Sequence, residues 1–160
     1  MVCTSPSKTF NMASMLISNI FIPGEKMRKK FQHEVDAAGI SQLSALGIVA
    51  AQTAYEKGDE WYHAMLSYVR ENIAYVKAYI ADHMPGVNVI DGEGTYLLWL
   101  DFRKTGIDPD ELDCRIIYDA KLWLDSGKIF GKTGAGFQRI NVAAPRKTVE
   151  ECLERIRRIL

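Results

Sequence analysis

Residues 59–84, DEWYHAMLSYVRENIAYVKAYIADHM, contain the longest periodic pattern of the chain. Apolar residues recur there at intervals of three or four positions, which places them on one face of a helix. This apolar stripe consists of Trp61, Met65, Val69, Ile73, Val76 and Ile80. Gly58 precedes the segment, Asp59 is a suitable N-cap, and Met84-Pro85-Gly86 ends it. We interpret the stripe as the core-facing side of one long helix.

After this helix, the sequence predicts short strands alternating with helices. The four predicted strands are 87–90, 95–102, 121–124 and 137–142, with a glycine-rich loop at 127–136. One helix is predicted from Asp108 to about Asp119, and the last begins at a capping box of Thr148 and Glu151. The order of these elements predicts a compact α+β domain over residues 59–160.

Before the long helix, residues 1–58 are predicted to be rich in helix. Asn19–Ile22 is predicted as a short buried strand, followed by a helix over 25–38 that Gly39 ends. A second helix is predicted over Ser41–Glu56, which is rich in alanine and poor in charge. Such a composition indicates burial on all sides, or burial against a partner subunit.

The composition is typical of a globular protein and excludes several functional classes. Of the 160 residues, twenty are basic and twenty acidic, so no excess of charge favours nucleic acid or an anionic membrane as a partner. Neither a signal peptide nor a membrane-spanning run is indicated. Cys3, Cys114 and Cys152 form no CxxC pair, so we expect neither a disulfide framework nor a zinc site, and a cytoplasmic location.

Other motifs that often carry chemistry are not convincing in this sequence. His33, His63 and His83 lie twenty or thirty residues apart on predicted helices, without the spacing of metal ligands, so no metal is expected. The glycines of 131–136 precede a strand and no GK[ST] follows them, so they fit neither a Walker loop nor a dinucleotide fingerprint.

The first candidate site residue is Lys8, in the segment Thr4-Ser5-Pro6-Ser7-Lys8-Thr9-Phe10-Asn11. A lysine amine can condense with an aldehyde, and neighbouring hydroxyls such as Ser5 and Ser7 can hold a phosphate. The alternative interpretation is an ordinary solvated turn that happens to contain one lysine.

The second candidate is Arg139, in the middle of the strand predicted over 137–142. Alternation places Phe137, Arg139 and Asn141 on one face of that strand. An arginine with apolar neighbours needs a partner, because burying its charge unpaired is costly. The planar guanidinium suits the carboxylate of a ligand, and the alternative is a salt bridge to an internal Asp or Glu, or a strand edge in water.

Four segments together resemble a known family. SPSKTFN (5–11), IFIPGEK (20–26), GTYLLWLDFR (94–103) and DSGKIFGKTGAGFQRINVAAPR (125–146) occur in the order and spacing of the C-terminal part of the MalY/PatB family. These proteins are fold-type I pyridoxal-phosphate (PLP) enzymes. The resemblance therefore implies an α/β aminotransferase fold with an α+β small domain. It also implies an aminotransferase or a C–S β-lyase acting on cystathionine or cysteine, as a homodimer.

The resemblance also implies roles for individual residues. Lys8 matches the lysine that forms a Schiff base with PLP and then takes the Cα proton of the amino-acid substrate. Ser5 matches a hydroxyl position that binds the cofactor phosphate, and Ser7 is an adjacent, weaker candidate. Arg139 matches the arginine that binds the substrate α-carboxylate.

The resemblance further implies how the chain is divided. Residues 1–58 match the end of the large PLP-binding domain, and 59–160 match the C-terminal small domain, with 59–84 as the connecting helix. The family's aspartate that pairs with the pyridine nitrogen, and its ring-stacking aromatic residue, precede the lysine that Lys8 matches. We therefore expect a fragment that is inactive by itself.

The sequence is compatible with two other hypotheses. In the first, the chain is a non-catalytic folded module that associates with itself through the apolar helix 41–56. In the second, Lys8 is an ordinary loop residue of an unrelated α+β domain.

Overall fold

The computed structural model describes residues 1–160, which form two compact units, Met1–Met65 and Leu66–Leu160. The five α-helices are α1 (Glu25–Ala37), α2 (Ala45–Lys57), α3 (Asp59–His83), α4 (Pro109–Cys114) and α5 (Arg146–Arg157). The six strands are β1 (Val2–Thr4), β2 (Asn19–Phe21), β3 (Asn88–Val89), β4 (Leu97–Asp101), β5 (Asp125–Ser126) and β6 (Phe137–Asn141). None of the helices is both long and apolar enough to cross a membrane.

The first unit contains a two-stranded antiparallel sheet and helices α1 and α2. Strands β1 and β2 pair with Val2 opposite Phe21 and Thr4 opposite Asn19. The predicted strand at 19–22 is therefore present, but its predicted burial is wrong for β2. Ile20 and Phe21 are exposed, because the sheet has only two strands and covers little apolar surface.

Helix α2 begins four residues later than predicted and is far less buried. Ser44 has extended backbone angles, and its hydroxyl accepts a hydrogen bond from the Gly47 N–H at 3.3 Å, so it caps the helix at Ala45. Gly47 and Ala51 are its buried residues, whereas Leu46 is 76% and Val49 61% exposed. Burial on all sides is therefore wrong for this chain, and burial against a partner remains a hypothesis.

The second unit is built on a four-stranded antiparallel sheet with the order β3-β4-β6-β5. The two faces of the central strands differ, as alternation requires. One face is buried and contributes to the core together with apolar residues of α3, α4 and α5. The buried sheet residues are Leu98, Leu100, Gln138 and Ile140, and the helical ones include Val69, Val76, Ile80, Leu112, Val149, Leu153 and Ile156. The other face carries Trp99, Phe137 and Arg139, which are half-buried.

Several predicted boundaries in this unit are wrong. Residues 121–124 are not a strand, because Lys121 adopts a positive φ of 55° and the Leu122 N–H bonds back to the Ile116 carbonyl, so the strand forms later as β5. The capping box at Thr148 is also absent. The helix starts three residues earlier than the capping box predicted, with Pro145 as its N-cap. The Pro145 carbonyl accepts from the Thr148 N–H at 2.9 Å.

The apolar stripe of the long helix is confirmed as core in its C-terminal half, where Val69, Val76 and Ile80 are buried. Trp61, at the start of α3, is 50% exposed. The stripe does not include Asn72, which is fully buried. Its amide donates to the carbonyls of Val142 (2.8 Å) and Ala144 (2.9 Å) and accepts from Arg146 Nε (2.7 Å). This amide fastens α3 to the segment between β6 and α5.

Replacing Asn72 by leucine is expected to destabilise the second unit by roughly 2–4 kcal/mol. The substitution keeps the volume but leaves the buried Val142 carbonyl, the half-buried Ala144 carbonyl and the Arg146 guanidinium without this partner. Native-state hydrogen exchange of the β4 and β6 amides measures the change. Asn88→Leu, at an exposed position of β3, is the matched control and should change stability by about 0.5 kcal/mol or less. Equal losses of stability from Asn72→Leu and Asn88→Leu would contradict the anchoring role of the Asn72 amide.

Candidate active site

Lys8 lies at the tip of a closed turn in the first unit. The Phe10 N–H donates to the Pro6 carbonyl at 2.9 Å, and the Met12 N–H donates to the Ser7 carbonyl at 2.8 Å. Asn11 completes the turn with a φ of 52°, a left-handed conformation that asparagine tolerates better than most residues. The Lys8 side chain is exposed, while Pro6 beneath it is buried. The turn therefore presents a primary amine on a fixed backbone.

Aromatic packing holds this turn against the end of α2 and the start of α3. The Phe10 ring stacks on Trp61 with centroids 5.9 Å apart and meets Tyr55 edge-on at 6.1 Å. Gly58 makes this approach possible, because a Cβ at position 58 would lie 2.6 Å from the Phe10 ring. These contacts fix the residue two positions after Lys8.

The two serines beside Lys8 are used differently. Ser5 Oγ donates to the Ile17 carbonyl at 2.8 Å and accepts from the Ser7 N–H at 3.2 Å. Its hydroxyl proton is therefore already used in a hydrogen bond within the first unit. The Ser7 side chain is half-buried and makes no such bond. In this conformation, the Ser7 hydroxyl is the freer donor for an anionic group.

Arg139 lies in the second unit, on the half-buried face of β6. Asp125 is directly opposite it on β5. Asp125 Oδ2 accepts from both Arg139 Nε (3.0 Å) and Nη2 (2.5 Å). The salt bridge to an internal acidic residue, which the sequence offered as one alternative, is thus present. Arg139 nevertheless keeps 24% of its side chain exposed, and Nη1 has no partner within the chain.

Aromatic rings surround Arg139. Its guanidinium carbon lies 4.5 Å from the centre of the Phe130 ring, within the range of a cation–π contact. Phe130 meets Trp99 edge-on at 5.1 Å, and Trp99 meets Phe137 at 6.0 Å. Trp99 is also the cross-strand neighbour of Arg139. The arginine is therefore held in a largely apolar setting that strengthens its remaining interactions.

A second arginine marks the other end of this aromatic row. The guanidinium carbon of Arg103 lies 4.5 Å from the centre of the Phe137 ring. Arg103 also forms a bidentate pair with the buried Asp101, with Nε 2.9 Å from Oδ1 and Nη2 2.8 Å from Oδ2. The Arg103 hydrogen bonds hold the pKa of the Asp101 carboxyl below its usual value. With its charge matched in this way, Arg103 is less suited than Arg139 to bind an anion.

The loop that carries Phe130 is anchored to helix α4. Lys128 Nζ pairs with Asp110 and, at 2.6 Å, with Asp113, and the hydrogen bonds to Asp110 and Asp113 raise the pKa of Lys128. Asp113 also accepts from Ser126 Oγ (3.0 Å) and from the buried Gln138 amide (2.6 Å). This network ties both ends of the loop to α4.

Close backbone contact makes two glycines of this loop necessary. Added Cβ atoms at Gly127 and Gly134 would lie 2.1 and 2.0 Å from each other's carbonyl oxygens. The glycine pattern of the sequence therefore reflects backbone packing within the loop that positions Phe130.

A cleft of about 430 Å³ adjoins Arg139 and Asp125. Trp123, Leu124, Val149 and Cys152 line it among others. Burial raises the pKa of the Cys152 thiol to about 11, so this thiol stays neutral. The cleft thus offers a mostly apolar volume beside the guanidinium.

The structure brings Ser5, Ser7 and Lys8 together in one turn of the first unit and places Arg139 in the second. Their predicted roles remain predictions. Sequence reasoning missed Asp125 and Phe130 as partners of Arg139. The available signal was an acidic residue two positions before the glycine-rich loop, but the residue that lies opposite it depends on the register of β5 against β6. The cysteines are all unpaired, and the chain has no cluster of three or more His, Cys, Asp or Glu residues arranged to hold a metal.

The comparisons with known proteins give consistent results. No family model matches the sequence. Cystathionine β-lyase PatB of Bacillus subtilis is 34% identical over 158 residues, which cover 99% of this chain and 41% of PatB. Protein MalY of Escherichia coli is 30% identical over 149 residues, which cover 92% of this chain and 38% of MalY. The crystal structure of cystalysin from Treponema denticola, which contains a pyridoxal 5′-phosphate cofactor, matches with a TM-score of 0.94 and 36% identity, over 98% of this chain and 40% of cystalysin.

These matches define the class of protein first: the chain has the fold of part of a fold-type I PLP-dependent aminotransferase. Within that class, it is a homologue of the MalY/PatB-type proteins and resembles their C-terminal part. The resemblance and the fold class predicted from the motifs are thus confirmed. The chain spans about two fifths of the length of the curated relatives it matches.

Proposed function

We propose that this chain is part of a PLP-dependent enzyme that acts on amino acids, either as an aminotransferase or as a C–S β-lyase on cystathionine or cysteine. The observation that carries the proposal is the presence of Lys8 as an exposed amine on an anchored turn, within a chain aligned almost completely with a cystathionine β-lyase. We also propose that residues 1–58 are part of the large cofactor domain, and 59–160 the small domain, with 59–84 connecting them.

The residues present fit the cofactor by the chemistry of their donors. Lys8 supplies an accessible amine for the aldehyde of PLP, and the half-buried Ser7 hydroxyl is free to donate to its phosphate. Ser5 supports the same turn, and its hydroxyl would reach the phosphate only by giving up the bond to the Ile17 carbonyl. We therefore assign the cofactor to Lys8, Ser7 and Ser5, with Ser5 acting mainly through the backbone of the turn.

When bound, PLP supplies an aldehyde for attachment and a ring that withdraws electrons from the substrate. The Lys8 amine holds the cofactor and, when free, holds the proton removed from the substrate Cα. Arg139 binds the α-carboxylate through hydrogen bonds from its guanidinium, which fixes the amino acid relative to that base. Transamination and β-elimination share these roles.

A turnover assay of the protein that contains this chain tests the proposal. With PLP and cystathionine, a C–S β-lyase releases pyruvate, ammonia and a thiol, whereas with a 2-oxo acid as acceptor an aminotransferase yields a new amino acid. Either product, dependent on added PLP, is the expected result. Absence of both, with PLP bound, would contradict the proposed function.

The remaining parts of the proposal concern the state of the protein. We expect the complete enzyme to be a cytoplasmic homodimer, as the resemblance to the MalY/PatB family implies. We expect the 160-residue chain alone to be inactive, since it spans about two fifths of its curated relatives and Lys8 is exposed rather than enclosed in a pocket.

A second candidate function, a self-associating module, is favoured by the exposed apolar residues of α2. Leu46, Ile48 and Val49 are exposed on a helix with little charge, and such surfaces commonly mark sites of association. Sedimentation of the chain should show a dimer that Leu46→Lys and Val49→Lys disrupt together. The control substitutions Lys26→Glu and Lys30→Glu, at exposed positions of α1, should leave the dimer intact. A monomeric unchanged chain would contradict this candidate.

A further inference from the structure

Arg139 is engaged on one edge of its guanidinium only. Its two hydrogen bonds to the chain come from Nε and Nη2, and both end on the same oxygen, Oδ2 of Asp125. A guanidinium has five N–H donors in one plane, and its two paired edges are the Nε/Nη2 edge and the Nη1/Nη2 edge. Asp125 therefore occupies the first edge and leaves the second available.

The orientation of the guanidinium plane is also fixed. The guanidinium carbon lies over the Phe130 ring, 4.5 Å from its centre, and Phe130 is itself held by the edge-on contact with Trp99 at 5.1 Å. With one edge bound by Asp125 and the guanidinium carbon packed over the Phe130 ring, the plane has little freedom to rotate. The free Nη1/Nη2 edge thus points in a defined direction.

The groups that restrain Arg139 are themselves on anchored backbone. Asp125 is held directly opposite Arg139 by the β5–β6 pairing. Phe130 closes the turn Gly127–Phe130, which Lys128 and Ser126 tie to Asp113. The arrangement is preorganised within the chain itself, before any ligand is present.

We propose that Asp125 is a positioning residue for carboxylate binding: it holds the Nε edge of Arg139 so that a substrate α-carboxylate binds end-on, to Nη1 and Nη2. The inference rests on the proposed function, in which Arg139 binds the substrate carboxylate, and it adds the edge that is used and the residue that selects it. Phe130 supports the same orientation by packing against the guanidinium carbon.

The contrasting possibility is that Asp125 merely competes with the substrate. In that case an incoming carboxylate displaces Asp125 and takes the Nε edge. The two cases differ in what happens to Nε when a carboxylate binds, and in the effect of removing the Asp125 charge.

The first test uses the 160-residue chain labelled with ¹⁵N at arginine and titrated with acetate as the probe, against chloride at equal ionic strength. In the unchanged chain, acetate should shift the Arg139 Nη signals and leave the Nε signal in place. In Asp125→Asn, the Nε signal should move on titration as well, because that edge has become available. Asp91→Asn, which removes an exposed carboxylate of the same unit, is the matched control and should behave as the unchanged chain.

Displacement of the Nε signal by acetate in the unchanged chain would overturn the inference. An identical response of Asp125→Asn and the unchanged chain would overturn it too.

The second test measures turnover in the PLP-loaded protein that contains this chain. Asp125→Asn should lower kcat by roughly 10- to 100-fold, because a carboxylate bound to the wrong edge misplaces the reacting bond. KM should stay within roughly threefold, since the lost preorganisation and the lost negative charge affect binding in opposite directions. A pure competitor would instead give a lower KM with unchanged kcat. If the unchanged protein shows no turnover, the proposed function fails while the acetate titration still decides the role of Asp125.

Discussion

Lys8→Arg is expected to reduce PLP-dependent turnover by at least about 10³-fold. The substitution keeps a positive charge on the same turn, but a guanidinium stays protonated, so it neither attaches the cofactor nor takes a proton from the substrate Cα. Initial rates with cystathionine or with an amino acid and a 2-oxo acid measure the effect. The loss should appear in kcat, since binding of the substrate carboxylate does not depend on Lys8.

Lys26→Arg provides the matched control for this prediction. Lys26 is an exposed residue of α1 in the same unit, so the same chemical change there should leave the rate within about twofold. A Lys8→Arg protein that keeps more than about a tenth of the activity would contradict the role of Lys8 as attachment site and base.

Arg139→Gln is expected to lower kcat/KM for amino-acid substrates by about 10²-fold or more. Two hydrogen bonds from a charged group to a carboxylate each contribute roughly 1.5–3 kcal/mol, and glutamine offers neither the charge nor the paired donors. The effect should fall mainly on KM when binding is rapid. Steady-state kinetics over a range of substrate concentrations separate the two parameters.

The control for Arg139 is Arg70→Gln, at an exposed position of α3 in the same unit. It should leave kcat/KM within about twofold. If Arg139→Gln were equally harmless, Arg139 would have only the structural role that its pair with Asp125 provides.

The sequence predicted those elements of the fold in which local pattern and tertiary packing agree. The stripe of 59–84 produced one helix, and the alternation at 137–142 placed Arg139 and Phe137 on the same, half-buried face, as observed. The fold class followed from motifs in a fixed order. The helix and the strand depend on periodicity, which can be read without knowledge of the neighbouring elements, whereas the fold class was implied by the family resemblance.

The predictions that were wrong concern segments whose structure depends on contacts with residues distant in the sequence. Residues 121–124 read as a strand by composition, but a hydrogen bond from Leu122 back to Ile116 and the positive φ of Lys121 delay the strand to β5. No pattern in the sequence singled out Asn72, which is fully buried and donates to the carbonyls of Val142 and Ala144. Helix α2 looked buried because it is apolar, although this chain leaves much of it exposed.

In the candidate site too, the sequence identified individual residues, whereas their partners depend on tertiary contacts. The sequence singled out Lys8 and Arg139 as residues, and it allowed a salt bridge at Arg139 without naming its partner. The pairing with Asp125 depends on the register of β5 against β6, and the contact with Phe130 depends on a loop closed by Gly127 and Gly134. Neither register nor loop closure can be read from the spacing of residues alone.

We propose that Lys8 is the residue that holds PLP in the protein containing this chain. Borohydride reduction of the PLP-loaded protein fixes the cofactor covalently to its lysine, and peptide mapping by mass spectrometry then identifies that lysine. We expect one pyridoxyl group per chain, on Lys8, and its absence from the Lys8→Arg protein. A stoichiometric pyridoxyl group on any other lysine, or none on Lys8, would contradict the claim.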